Sequence, residues 1–258
     1  MSEHYGIRPD PASAIDQAPH LSDLADQGWT VLPGRLDGKA LARLRDALER
    51  LAIEQSGLAP PEEAGIVRAP LAFDDAFLAL ATDPLVLAIA DSLLGGYTLL
   101  SQQNGLVPVP GRTFGQARWH RDLPYQHFTS SQPIALSALF CLDRFSMETG
   151  ATLVLNGSHR SADFPGPDCA AAVTAEAGDC ILFDAMLFHR TGENRTDQPR
   201  RAVNHVYGRG FVAQQIDLPG LLGDRFADEP ALARLLGYRT RPAPSLSEWW
   251  ARTRGPLA

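Results

Sequence analysis

After Gly96 the chain never runs far before a turn signal. β-like segments at 97–106, 115–122, 134–142, 151–155, 172–176, 180–184, 186–192 and 200–208 are separated by clusters of Gly, Pro, Asn and Asp. Strands this short cannot bury an apolar face singly. They have to be stacked as two sheets, so the pattern predicts a sandwich or jelly roll. The clearest of them, PIALSALFCLD, is apolar almost throughout, as a strand covered on both faces should be.

The flanks read differently. HLSDLADQGWTVLPG predicts a short helix, a turn at Gly28 and a strand ending at Pro33. Over 37–57, apolar residues at 41, 44, 48 and 51 mark one helical face, with Gly57 beyond it. DPLVLAIADSLLGG has Asp83 as N-cap, Pro84 at the first helical position and Gly95 as the stop. DEPALARLLGY and SLSEWWAR predict two C-terminal helices packed on the β core, with Trp249 and Trp250 capping it. With no linker, repeat or low-complexity tract, the expectation is one domain over 1–258. It has a helical part at about 20–95, a β core at about 96–210 and helices at about 211–258.

Charge narrows the partners. Residues 1–111 carry a balance of −8, residues 112–209 balance to zero, and the remainder adds +1 to give the total of −7. An acidic chain without a basic stripe is a poor ligand for nucleic acid or anionic membrane. Its middle, spared that acidity, is the part suited to a small anion. No apolar run reaches the ~18–20 residues of a membrane span, and MSEHYGIRPDPAS lacks the features of a secretory signal. Three widely spaced cysteines, Cys141, Cys169 and Cys180, fit buried reduced thiols and a cytoplasmic location.

One stretch asks for chemistry. ARWHRDLPYQHF sets His120 and Asp122 two apart, on one side of a predicted strand. About 0.5 such pairs would arise by chance in this composition, so the pair needs company. His189, on a later segment, supplies it. Two imidazoles and one carboxylate can occupy one face of an iron octahedron and leave three positions open. Arg200 follows eleven residues on, across the polar turn at 193–199, and a hairpin there would bring its guanidinium to the same end. Arginine matches a carboxylate with two parallel donors. Thr191 shares the face of His189. Arg201 points the other way and is the rival anchor.

These pieces, namely HRD at 120–122, GATLVLNGSHR at 150–160, GD…FH at 178–189 and TGENRTDQPRRA at 191–202, resemble the phytanoyl-CoA dioxygenase-like Fe(II)/2-oxoglutarate oxygenases. With the GWTVLPG strand, the likeness covers most of residues 20–240. It implies a mainly β fold with flanking helices around a double-stranded β-helix, the cupin-like jelly roll. It implies Fe(II) on His120, Asp122 and His189, and 2-oxoglutarate held by Arg200 with help from Thr191 and Asn104. O2 would be consumed, ascorbate would stimulate, and a small molecule would be hydroxylated with release of succinate and CO2. Because Asp122 stands where related halogenases have a small residue, hydroxylation or desaturation is expected rather than halogenation. One departure is Asn156, where the family has Pro before Gly-Ser-His.

Gln102, Tyr125 and His127 are candidates for the substrate mouth. His159 is expected to stabilise a turn, His205 to face away from the metal, and His4 and His20 to lie on the surface. The alternatives are a metal-binding β-barrel module without catalysis, and a zinc hydrolase, which would want a second acid that the sequence does not offer at helical spacing. Short loops and the absence of a lysine-rich patch disfavour a bulky CoA ester. Either a monomer or a homodimer is compatible with the sequence.

Overall fold

The apolar runs become two antiparallel sheets in the computed structural model, which describes residues 16–108, 115–123 and 128–253. The larger sheet is built from β1 (Trp29–Leu32), β2 (Ile66–Arg68), β3 (Thr98–Leu106), β4 (Ala135–Cys141), β7 (Cys180–Asp184) and β9 (Ala202–Arg209), in the order β1-β7-β4-β9-β3-β2. The smaller sheet has the order β6-β5-β8, from β5 (Thr152–Leu155), β6 (Ala170–Val173) and β8 (His189–Thr191). The fold is therefore mainly β, a jelly roll with helices on one side, and its sheets are not closed into a barrel.

Every residue of β4 and β7 is buried, and alternation decides where each goes. Leu136, Ala138 and Phe140, with Cys180 and Leu182, join the cluster under the helices. Leu139 and Cys141, with Ile181 and Phe183, turn inward to the space between the sheets. This two-sided burial explains the continuous apolar runs.

The helices that cover the outer face are α1 (Ala18–Asp26), α2 (Gly38–Gln55), α3 (Ala76–Ala81) and α4 (Pro84–Leu94). Leu41, Leu44, Leu48 and Leu51 form the buried stripe of α2. The Asp83 carboxylate caps α4 at the Leu85 and Val86 N–H groups, and Gly95 ends it at φ +82°, a left-handed conformation that glycine adopts without strain. β1 and β2 come from the N-terminal third and form the two outer strands of the larger sheet. β2 and α3 were not expected. At three and six residues they are too short to show a period.

Three expectations are corrected. Segment 115–122 is not a strand: Gly115–Ala117 is a 3-10 turn, and His120 forms only an isolated bridge to His189. Its backbone bonds go to two different places, His120 N–H to His189 O and Asp122 N–H to Ala185 O, both at 3.0 Å. No continuous ladder can form. Secondly, the chain from His189 to Arg200 is no hairpin. β8 belongs to the smaller sheet and β9 to the larger, so the turn crosses between them.

Thirdly, the tryptophans do not cap the core. After α5 (Leu218–Leu222) and α6 (Pro230–Leu235), α7 (Leu246–Thr253) leaves Trp249 and Trp250 53% and 59% exposed. Adjacent residues on a helix point about 100° apart, so no single core face could take both. Cys141 and Cys180 are buried, but Cys169 is exposed. No helix among the described residues is long and apolar enough to cross a membrane.

Candidate functional site

His120, Asp122 and His189 meet between the two sheets, each offering one ligand atom, all within 4.8 Å of one another. Asp122 Oδ1 lies 3.5 Å from His189 Nε2 and 3.8 Å from His120 Nε2. Both imidazoles are oriented from behind. His120 Nδ1 donates to Arg118 O at 2.8 Å and His189 Nδ1 to Leu187 O at 3.0 Å, which leaves Nε2 of each turned to the carboxylate. Fixing the far nitrogen in this way is how proteins prepare histidine for a metal.

The carboxylate has its own supports. Asp122 Oδ2 accepts from Ser137 Oγ on β4 at 2.5 Å and from Asn204 Nδ2 on β9 at 3.3 Å. Burial alone would raise the Asp122 pKa, but His189, His120 and the Ser137 hydroxyl hold it well below the usual carboxylate range. Burial pulls His120 below its ordinary value, and His189 adds to that. At His189 burial is outweighed by Asp122, and the pKa rises. A divalent cation would supply the positive charge that Asp122 faces, since ligating histidine must be neutral.

Arg200 lines the same cleft, two residues before β9. Its residue is 3% exposed. The guanidinium donates to Thr152 Oγ1 at 3.3 Å and sits over the Phe145 ring at 3.8 Å, while its buried Nε has no partner. It makes no ion pair among the described residues. Burial brings its pKa down to about 10. A buried cation without a counter-charge is costly, and here it lines a cleft with three side chains that could hold a metal. Arg201 is engaged elsewhere: two bonds to the Asp143 carboxylate, at 2.8 and 3.0 Å, and a contact with Glu49 hold it on the far side.

Thr191 lines the cleft as the cross-strand neighbour of Thr152. Asn104 does not reach it. It sits opposite Asn204 in the β3–β9 ladder, but its amide is taken by Arg68 at 3.0 Å and by Gln102 at 3.0 Å. Gln102 is buried in the same pair and also lies off the cleft. Tyr125 and His127 lie outside the described residues, as does His4. His205 faces the helices, packed between Gln103 and Phe140, and burial pushes it down to about 3. His159 closes the turn under Gly28, and His20 bonds Thr30 at 3.1 Å. Asn156 accepts from the Trp29 indole N–H at 2.8 Å, which ties the turn at 156–158 to β1.

Four site residues escape a reading of motifs. Thr152, Ser137 and Asn204 carry the bonds just described. Asn204 could have been found by parity, since 200, 202 and 204 alternate onto one face. The fourth, Arg190, also lines the cleft.

Comparison with known proteins shows the family. The family model for phytanoyl-CoA dioxygenase (PhyH) matches residues 24–202. The uncharacterized protein Rv1501 of Mycobacterium tuberculosis is 32% identical over 240 residues, 86% of this chain and 87% of its own length. Dioxygenase af480 of Aspergillus fumigatus is 30% identical over 205 residues, 71% of this chain and 64% of its own length. Among solved structures, the epimerase SnoN in complex with Fe3+, α-ketoglutarate and nogalamycin RO superposes with a TM-score of 0.63. Its identity is 24%, over 88% of this chain and 92% of SnoN. EctD from S. alaskensis with bound Fe gives 0.63 at 23% identity, over 79% and 83% of the two chains. The matched span, from within α1 to the first residue of β9 and including His120, Asp122 and His189, makes this chain a member of the phytanoyl-CoA dioxygenase (PhyH) family.

Proposed function

We propose that this protein is an Fe(II)- and 2-oxoglutarate-dependent dioxygenase that hydroxylates a small-molecule metabolite, releasing succinate and CO2. The observation that carries the reading is Arg200, a buried guanidinium without an anion, in one cleft with a His2Asp ligand set. The donor set fits iron: two borderline nitrogen donors and one carboxylate oxygen on one side, leaving the opposite side open. Arg200, with Thr152 and Thr191 beside it, fits the far carboxylate of a dicarboxylic acid. Iron with 2-oxoglutarate would supply the oxidising power. The chain's own residues hold the two reagents, keep the His120 and His189 tautomers, and shield the centre with Phe183, Leu139 and Leu106. The relatives named as dioxygenases support the same reading.

The test is a succinate-release screen against a metabolite library, with Fe(II), ascorbate and O2 supplied. Succinate should form only when 2-oxoglutarate is present, and His189→Ala should abolish it. Arg200→Ala should raise the 2-oxoglutarate requirement by roughly 30-fold or more, the loss expected when a charge-assisted bidentate partner is removed. Arg201→Ala should not. Hydrolysis of a library member without 2-oxoglutarate would overturn the proposal in favour of a hydrolase.

A further inference from the structure

Arg190 follows the proposed ligand His189 and points out of the strand face that carries it, yet it still lines the same cleft, as does Gln116. It also lines a groove of about 290 Å3 that runs past Met147, Leu153, Glu193 and Arg195. Arg190 is thus shared by the cleft and the groove. Its guanidinium lies over the Trp119 ring, 5.4 Å from the centroid, within the range of a cation–π contact. Its Nε is buried without a partner, and among the described residues its side chain makes neither a hydrogen bond nor an ion pair. Arg195 in the same groove is different, because Glu193 pairs with it at 3.1 Å.

The ring beneath Arg190 is part of a platform. Trp119 lies 6.0 Å from Phe164, which meets Phe188 edge-on at 5.2 Å. A donor fork placed over an indole, with its hydrogens unspent, can receive a carboxylate lying in the plane of the fork. Arg200 cannot be that receptor in the working enzyme, because the proposed function assigns it to 2-oxoglutarate.

We propose that Arg190 is the substrate's anchor, and that the molecule oxidised here is an organic carboxylate with a flat or apolar body. The acid group pairs with Arg190 over Trp119, and the body lies along the aromatic platform and the Met147–Leu153 side of the groove. The bond to be oxidised is thereby directed toward the metal cleft. Arg190 sets specificity and orientation; it takes no part in holding the metal. This inference rests on the oxygenase reading, from which it takes the occupant of Arg200.

The experiment is calorimetric titration of the anaerobic protein carrying Fe(II) and saturating 2-oxoglutarate. The probes are 3-phenylpropionate and indole-3-propionate, each beside its primary amide. Each acid should bind about tenfold to a hundredfold tighter than its amide, as expected for hydrogen bonds to a charged group. In Arg190→Gln that preference should vanish, while Arg201→Gln should keep it. Trp119→Ala should weaken acid and amide alike. Equal binding of acid and amide, a preference that survives Arg190→Gln, or acids that do not bind would each overturn the proposal. Failure of 2-oxoglutarate itself to bind, measured in its own titration, would instead count against the oxygenase reading.

Discussion

Arg200→Met should make the ligand-free protein more stable while destroying its response to 2-oxoglutarate. Burial pulls the Arg200 pKa from the ordinary arginine range to about 10, a displacement of roughly 3 kcal/mol at ~1.4 kcal/mol per pH unit. The sign follows from linkage. A cation whose folded pKa is depressed destabilises the native state by the full amount at any pH below about 10, so the whole penalty is present at pH 7. Two contacts offset it: the Phe145 ring at 3.8 Å, worth roughly 1–2 kcal/mol to a desolvated cation, and a long bond to Thr152, worth less than about 1 kcal/mol. A net penalty of roughly 1 kcal/mol remains. Methionine has similar length, no charge, and a sulfur suited to the same aromatic ring.

The melting temperature of Arg200→Met should therefore rise by roughly 2–4 °C for a chain of this size. Saturating 2-oxoglutarate with metal, at about a hundred times its dissociation constant, should add roughly 2.7 kcal/mol to the wild type and nothing to the variant. The order of stability should thus reverse on adding the acid. Thermal unfolding under argon with Fe(II), with and without 2-oxoglutarate, reads both effects. A variant that melts below wild type without 2-oxoglutarate would refute the reasoning, because the guanidinium would then be stabilising the fold unaided.

Asp184 lies on the opposite face of β7 from the metal cleft, lining a cavity with His159 and Met186, and burial pushes it up to about 6. Its stability contribution is present at low pH and lost as pH rises through about 6, so Asp184→Asn should stabilise by up to roughly 3 kcal/mol at pH 8 and hardly at pH 4. Urea unfolding at both values checks this, and an equal effect at each would contradict it. Removing a support of Asp122, by Ser137→Ala or Asn204→Ala, should weaken Fe(II) binding roughly 10- to 100-fold in a chelator competition; unchanged affinity would show that Asp122 is placed by the backbone alone. If Asp122 holds the metal as proposed, its oxygen would take the position a halide would need, and products formed in excess chloride should gain one oxygen or lose two hydrogens. A chlorinated product in the mass spectrum would sink the assignment of Asp122 to the metal.

What could be read ahead of the structure followed from local rules. α4 carries its start and stop in Asp83, Pro84 and Gly95, and β4 carries its burial in PIALSALFC. The convergence of His120, Asp122 and His189 was legible because residue type and order both suit one metal-binding face. Partition of strands between sheets was not. Nothing in TGENRTDQPRRA distinguishes a hairpin from a crossing, since a polar turn serves either, and the choice is made by which sheet has an edge to offer. The backbone of 118–122 was misread for the same reason: extended residues look like a strand whether or not a partner runs alongside. Thr152 and Ser137 lie on apolar strands as single polar residues, and cross-strand register, more than sequence, shows that they converge with Asn204. Asn104 shows the converse, a residue on the right face whose amide Arg68 and Gln102 have already taken.

The separate origins of His189 and Asp122 would give a metal held between them a mechanical part. Asp122 is fastened to the larger sheet through Ser137 and Asn204, whereas His189 begins a strand of the smaller one. An ion held by both would be a rivet through two leaves that the 118–122 segment already ties by the isolated His120–His189 bridge. It would close a long loop of chain, and its binding energy would enter the unfolding free energy directly. Chelation should then act first as a loosening of one leaf against the other. Faster amide exchange in β8 and in residues 118–123 would precede any change in β4 or β9.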